Sequence, residues 1–337
     1  MTVAITPLIA PPPRIEPIVH ALRNISNALA PVRLAALLGV LVVFASSPAS
    51  AQSAWRWSKA DKKQLKVLAK SATQGESFPH VVEGEHWTVR TEISVVFTAE
   101  LALFMDRFFV SFGELLEGLE LDPRIPLKPT VEVFSSNTSY VSAGHPAENR
   151  GYYTYKWGSA GEWTHLHLHT YAAKASEKNF AGFYRPILLH EGTHVLLRRL
   201  MGKVPNAKWF DEGVATWFQF YDLSGSVKAN RKQRYRRSMF LAKGHLKRAV
   251  AKGPPKLADL IALDDDTWDP DKMGPIANEH YALAESVIDA CLSNKKGAKI
   301  FKTVYGRLRA EETPHVASDD AGTLEKAWHK HLRRLVR

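Results

Sequence analysis

Leu188-Leu189-His190-Glu191-Gly192-Thr193-His194-Val195-Leu196-Leu197 sets two histidines four residues apart in an apolar run, and Trp209-Phe210-Asp211-Glu212-Gly213-Val214-Ala215 follows closely. Residues four apart on a helix sit one turn above one another, so His190 and His194 present both imidazoles to one point. Glu191, next to His190, is placed to hold a metal-bound water rather than the metal. The second segment offers an acidic residue on the next helix, at the separation that completes a metal site; Asp211 and Glu212 are both candidates. Zinc with three protein ligands keeps a fourth position for water and lowers that water's pKa towards ~7, which is hydrolase chemistry.

A bare His-Glu-x-x-His also arises by chance, and the alternative is a helix whose histidines are merely buried and hydrogen-bonded. The context favours the metal. Pro186 suits a first helical turn, and Gly202 suits a stop after Arg198 and Arg199. Ile187, Leu188, Val195, Leu196 and Leu200 recur as the buried face of a helix. Residues 202–206 form the short polar connection expected between adjacent helices. A metzincin would need a glycine three residues after His194 and a third histidine three further on; Leu197 and Leu200 stand there and exclude that class.

With these residues the chain resembles the gluzincin metallopeptidases, and most closely a peptidase-MA-like group of bacterial envelope proteins. That group shares a Trp-(aromatic or aliphatic)-x-Glu-Gly-x-Ala segment after the zinc helix, matched by Trp209 to Ala215. The resemblance spans about Trp87 to about Leu308, and its two motifs carry it. It implies His190, His194 and Glu212 as Zn2+ ligands and Glu191 as general base. Tyr281, with His280 beside it, lies where relatives carry a tyrosine, which implies a hydroxyl for the oxyanion. One position departs from the pattern. Thermolysin-like relatives have, four residues after the glutamate ligand, an aspartate that orients a ligand histidine; here it is Thr216.

A chain of 337 residues, 45% hydrophobic and 23% charged, has the composition of a globular protein with ample core. Its lone Cys291 excludes an internal disulfide and reads as a packed thiol. Arg33, the apolar run Leu34 to Ala45 and the small-x-small site Ala49-Ser50-Ala51 read as a cleaved secretory signal. The apolar run is shorter than the ~20 residues of a membrane span, so a periplasmic or extracellular location after cleavage behind Ala51 is expected. Residues 1–32 are long and Pro-rich for such a signal, and a start at Val32 would make it compact.

Net charge is +11, and removing residues 1–51 takes three arginines and one glutamate, leaving +9. Much of this is local, because no acidic residue lies between Asp222 and Asp259 while basic residues accumulate from Lys228 to Lys256. Tyr235, Met239, Ala242 and Leu246 recur at helical spacing, so 228–252 reads as an amphipathic helix with a solvated basic face. Its functional reading is attraction to an acidic envelope polymer or anionic lipid. Nucleic acid is disfavoured by export and by the lack of a zinc-finger, homeodomain or RNA-recognition signature.

Along the chain, Trp55 to Ala72 predicts a short Lys-rich helix, Trp87 to Val96 a strand, Thr98 to Leu119 a helix and Thr130 to Phe134 a strand. Gly151 to Tyr155 and Thr164 to Tyr171 predict paired strands, and from Trp209 onward the pattern is helical, broken at Gly253-Pro254-Pro255 and at the acidic loop Asp264 to Asp271. His165, His167 and His169 alternate and share one strand face, read as solvent-facing, with a second metal site or a cleft wall as the other readings. Thr164 to Tyr171 is also the candidate edge on which a substrate backbone would pair.

The expectation is therefore an α+β fold: a signal over 1–51, a small mixed-sheet lobe over 52–175, a zinc-helix pair over 176–222 and a mainly helical lobe over 223–337, with 52–337 as one catalytic unit. The expected activity is that of a zinc-dependent peptidase acting on peptide or protein substrates. The alternative is an envelope protein that keeps the zinc scaffold for binding, with little or no catalysis.

Overall fold

Five strands among the described residues form one sheet. The computed structural model describes residues 57–115, 127–147, 150–159, 162–171, 177–201, 208–223, 244–293, 295–310 and 318–336. The signal expected over 1–51 and most of the basic stretch expected over 228–252 lie outside these residues.

Helix α1 (Lys59–Lys70) opens with a capping box: Ser58 Oγ accepts from the Asp61 amide, and the Asp61 carboxylate accepts from the Ser58 amide. Strands β1 (His80–Glu83) and β2 (Thr88–Thr91) pair antiparallel, followed by α2 (Val95–Leu115), β3 (Thr130–Phe134) and the short α3 (Asn137–Ser142). Strands β4 (Gly151–Trp157) and β5 (Trp163–Tyr171) pair antiparallel, as expected from their spacing. The sheet order is β1-β2-β3-β5-β4, with β2/β3 and β3/β5 parallel, so the sheet is mixed and the fold is α+β.

That order corrects one expectation. Strand β5 is paired on both sides, and the edge is β4. The sequence also did not announce β1 or α3, which are too short to show a period. Residues Val95 and Val96, expected to end a strand, instead open α2; Ser94 accepts at its N-terminus from the Phe97 amide.

Val82, Val89, Val131, Val133, Leu166 and Leu168 send their side chains to one sheet face, where α2 packs. Thirteen of the 21 residues of α2 are buried, Phe104, Met105, Phe108 and Phe112 among them, so this helix lies between layers rather than on a surface. The same continuous core runs on through α4 (Glu177–Met201) and α5 (Lys208–Phe218). Helix α4 begins nine residues before Pro186, so that proline lies inside the helix and does not open it as expected. Its ring lacks an N–H, which leaves the carbonyl of residue 182 without its helical donor.

The C-terminal part is helical, as expected: α6 (His245–Ala251), α7 (Leu257–Ile261), α8 (Pro270–Met273), α9 (Pro275–Leu292), α10 (Lys295–Arg309) and α11 (Ser318–Leu335). In α6, Leu246 is buried while Lys247 and Arg248 are exposed. Residues Asp265–Trp268, expected as open loop, form a 3-10 turn capped by Asp264, because Trp268 buries beneath it. Helix α9 passes beside α5. Buried Asp289 accepts from Trp217 Nε1 at 3.2 Å on α5 and lies 2.7 Å from His331 Nε2 on α11, bracing the three helices. Cys291, also on α9, is buried, and burial followed by the nearby Asp289 charge pushes its thiol up to about 12, which fits the packed-thiol expectation. No helix among the described residues is long and apolar enough to cross a membrane.

Candidate metal centre

Helix α4 carries His190 and His194 on the stripe that faces α5, and α5 answers with Glu212. The two imidazole Nε2 atoms stand 3.3 Å apart, and Glu212 Oε2 lies 3.4 Å from His190 Nε2 and 3.5 Å from His194 Nε2. Donors held ~2.0–2.1 Å from a tetrahedral zinc stand ~3.3–3.4 Å from one another. Three donor atoms at that mutual spacing, two of them on buried residues and one on half-buried His190, fit the ion. Glu212 Oε2 makes no hydrogen bond although it is buried, so an acceptor is left aimed at the point where the two imidazoles converge.

Helix α5 can bring Glu212 this far in because Gly213 lets α9 approach. A Cβ at Gly213 would meet the Ala284 carbonyl oxygen and Ile288 Cγ1, each at 2.9 Å. The Glu-Gly pair thus couples a candidate ligand to the close helix contact that sets its depth. Lys208 Nζ, one turn earlier, reaches the other carboxylate oxygen of Glu212 at 3.3 Å.

Asp211 does not point at this triangle. Its Oδ1 is 3.0 Å from His194 Nδ1, and its Oδ2 is 3.9 Å from Arg198 Nη2. A carboxylate behind a histidine fixes which ring nitrogen is free for a metal and makes it more basic. Asp211 thus stands at ion-pair distance behind His194, on the ring nitrogen turned away from Glu212. His190 has no such support: His190 Nδ1 and Thr216 Oγ1 are both buried without a hydrogen-bond partner. Tyr153 of β4, which the sequence did not mark, stacks on His194 with ring centres 5.0 Å apart and planes 20° apart.

The electrostatics follow from this packing. Burial disfavours a proton on His194, but the Asp211 and Glu212 carboxylates outweigh it and lift its pKa well above the usual histidine range. Burial likewise pushes Glu212 up, yet His194 and His190 together hold it well below the usual carboxylate range. Glu191 is raised by burial, offset only partly by the two histidines. The centre is thus a concentrated negative pair facing imidazoles in a low-dielectric interior, which attracts a cation.

Tyr281 is also brought to this centre, its ring centre 6.5 Å from that of His190. It sits in the second turn of α9, and Trp268 packs edge-on against it at 5.5 Å. Burial, then the carboxylates of Glu212 and Glu191, raise its phenol well above the usual tyrosine range. His280 points away, with Nδ1 2.9 Å from the Thr267 carbonyl.

The edge strand passes beside Glu191. A Cβ on Gly151, the first residue of β4, would lie 2.5 Å from Ile187 Cγ2 and 3.5 Å from Glu191 Cγ, so glycine lets β4 run hard against α4. Tyr153 and Tyr155 share that face, while Tyr152 and Thr154 point to the other. The three alternating histidines of β5 lie on this other face and are not solvent-facing as expected: His165 and His167 are half-buried and His169 is buried, enclosed by Glu132, Tyr152, Thr154 and His145.

A comparison with protein-family models finds no match, and a comparison with curated proteins finds none either.

Proposed function

We propose that the chain is a zinc-dependent peptidase of the gluzincin type, with His190, His194 and Glu212 as ligands. The observation that carries this reading is the triangle of donors at 3.3, 3.4 and 3.5 Å, with Glu191 one residue along the same helix. When bound there, zinc supplies a Lewis acid that polarises a peptide carbonyl and acidifies a water.

The remaining work falls to side chains. Glu191 takes the proton of the attacking water on its carboxylate and returns it to the leaving nitrogen; burial raises its pKa, which makes it a stronger base than an exposed carboxylate. Asp211 holds the His194 ring in one orientation through Nδ1. Tyr281 keeps its proton at neutral pH and offers a hydroxyl donor to the oxyanion. The outer side of β4, rather than of β5, offers backbone groups on which an extended substrate pairs as an added strand, next to Glu191. In this reading the protein works in the periplasm or outside the cell once the chain is cut behind Ala51. The basic stretch 228–252 adds attraction to an acidic envelope polymer or anionic lipid.

The test is a peptide library incubated with zinc-loaded protein and read by mass spectrometry, beside Glu191→Gln. The amide is nearly isosteric, removes no ligand and cannot accept the water proton. Cleavage is expected to fall by roughly 10²–10⁴ with zinc content unchanged. Equal cleavage by both proteins would remove this mechanism. No cleavage by either, with zinc bound, would leave the binding scaffold without the chemistry.

A further inference from the structure

The far face of the sheet carries a second set of converging donors, separated from the zinc helix by the sheet itself. His165, His167 and His169 project from β5, Glu132 stands in register with His169 on β3, and His145 comes from the segment after α3. Glu132 Oε2 is 2.9 Å from His169 Nδ1, and Oε1 is 3.4 Å from His167 Nδ1. One donor atom from each of Glu132, His145 and His169 lies within 4.8 Å of the other two.

The division of the ring nitrogens indicates what this cluster is for. His169 Nε2 is held by Thr154 Oγ1 at 2.9 Å, while its Nδ1 is buried and makes no well-formed hydrogen bond. His145 Nδ1 is held by the Tyr152 hydroxyl at 2.6 Å, which leaves Nε2 for another partner. An imidazole anchored through one nitrogen, with the other presented, is how ligating histidines are set. Ring packing supports the arrangement: His145 lies between Tyr140 and His169, tilted 37° to each, at ring-centre distances of 4.7 and 4.5 Å. Glu132 and His145 also line a cleft of ≈ 500 Å³, bounded by Thr73, Phe78, Arg90 and Phe134, so the cluster is reachable from outside.

We propose that Glu132, His145 and His169 bind a divalent transition-metal ion of the zinc class at the wall of this cleft. Imidazole and carboxylate are the donors such ions take. The 2.9 Å between His169 Nδ1 and Glu132 Oε2 is shorter than the ~3.3 Å edge of a zinc tetrahedron, so the ion enters by opening these two atoms by a few tenths of an ångström. Arg90 Nη1 pairs with Oε1 at 3.3 Å and leaves Oε2 to the ion.

Metal-stripped full-length protein titrated with Zn2+ alone and weighed by elemental mass spectrometry tests this independently of the peptidase reading. Wild type is expected to take two equivalents. His190→Ala/His194→Ala should keep one, and the conservative Glu132→Gln/His169→Asn should lose that one while retaining the other, with circular dichroism confirming folding of each. If the double substitution on α4 abolishes folding, Cu2+ loaded at two equivalents into wild type and into Glu132→Gln/His169→Asn gives a second readout. A second nitrogen-coupled electron paramagnetic resonance signal, present in wild type and lost in the variant, supports the site, and identical spectra overturn it. A single zinc in wild type, untouched by Glu132→Gln/His169→Asn, overturns the proposal; a single zinc lost only in that variant sustains it and instead removes the site on α4.

Discussion

Asp211 and Glu212 are neighbours in sequence with different tasks, one behind His194 and the other in front of both imidazoles. Removing Asp211 takes away an orienting carboxylate but no donor to the ion. Asp211→Asn is therefore expected to weaken zinc binding by roughly 10–100-fold and still bind stoichiometrically at saturation, whereas Glu212→Gln should lose stoichiometric zinc altogether. Competition with a chromogenic chelator measures both, and the reverse ranking would make Asp211 the ligand. The histidine pair was legible because a four-residue spacing brings side chains together on any helix. The roles of 211 and 212 were not, because adjacent helical positions differ by ~100° of rotation and only the approach of α5 to α4 selects between them. Tyr153 was invisible for a similar reason: its contact with His194 depends on which strand forms the sheet edge.

The packing of elements turns a motif into a site. Gly213 permits α5 to lie against the backbone of α9, with the Ala284 carbonyl 2.9 Å from where a Cβ would stand. Gly213→Ala must push the helices apart, at a cost of about 1–3 kcal/mol, and carry Glu212 away from the imidazoles. Urea unfolding and zinc affinity should both fall in this variant; an unchanged zinc affinity would show that the depth of Glu212 is set elsewhere. At this scale the sequence was readable where a period was long enough, as in α2, α4 and α9, and where β3 matched its expected bounds. Strand order was not. The alternating histidines of β5 look like an exposed strand, yet Glu132, His145 and Tyr152 cover that face and β4 takes the edge. Nothing local to β5 encodes those neighbours. Pro186 misled in the opposite sense, because tertiary packing of α4 on the sheet outweighs the lost backbone hydrogen bond.

Across the whole molecule, one apolar core links the sheet face, α2, α4, α5 and α9, and the candidate metal centre is embedded in it. Filling that centre ties α4 to α5 and so opposes unfolding. At free zinc ~1,000-fold above its dissociation constant the gain is about 4 kcal/mol. In Glu132→Gln protein, where only the centre on α4 contributes, chelation should lower the melting temperature by roughly 10 °C. Superimposable melts with and without chelator would mean that no ion is bound in the folded core. The α+β class was readable from the order of periods along the chain, while the expected signal over 1–51 and most of the basic stretch lie outside the described residues. The account stands on three atoms, and zinc-edge anomalous diffraction from crystals grown with zinc tests them directly. It predicts a peak about 2.0–2.1 Å from each of His190 Nε2, His194 Nε2 and Glu212 Oε2; saturating zinc with no peak among those three atoms would contradict it.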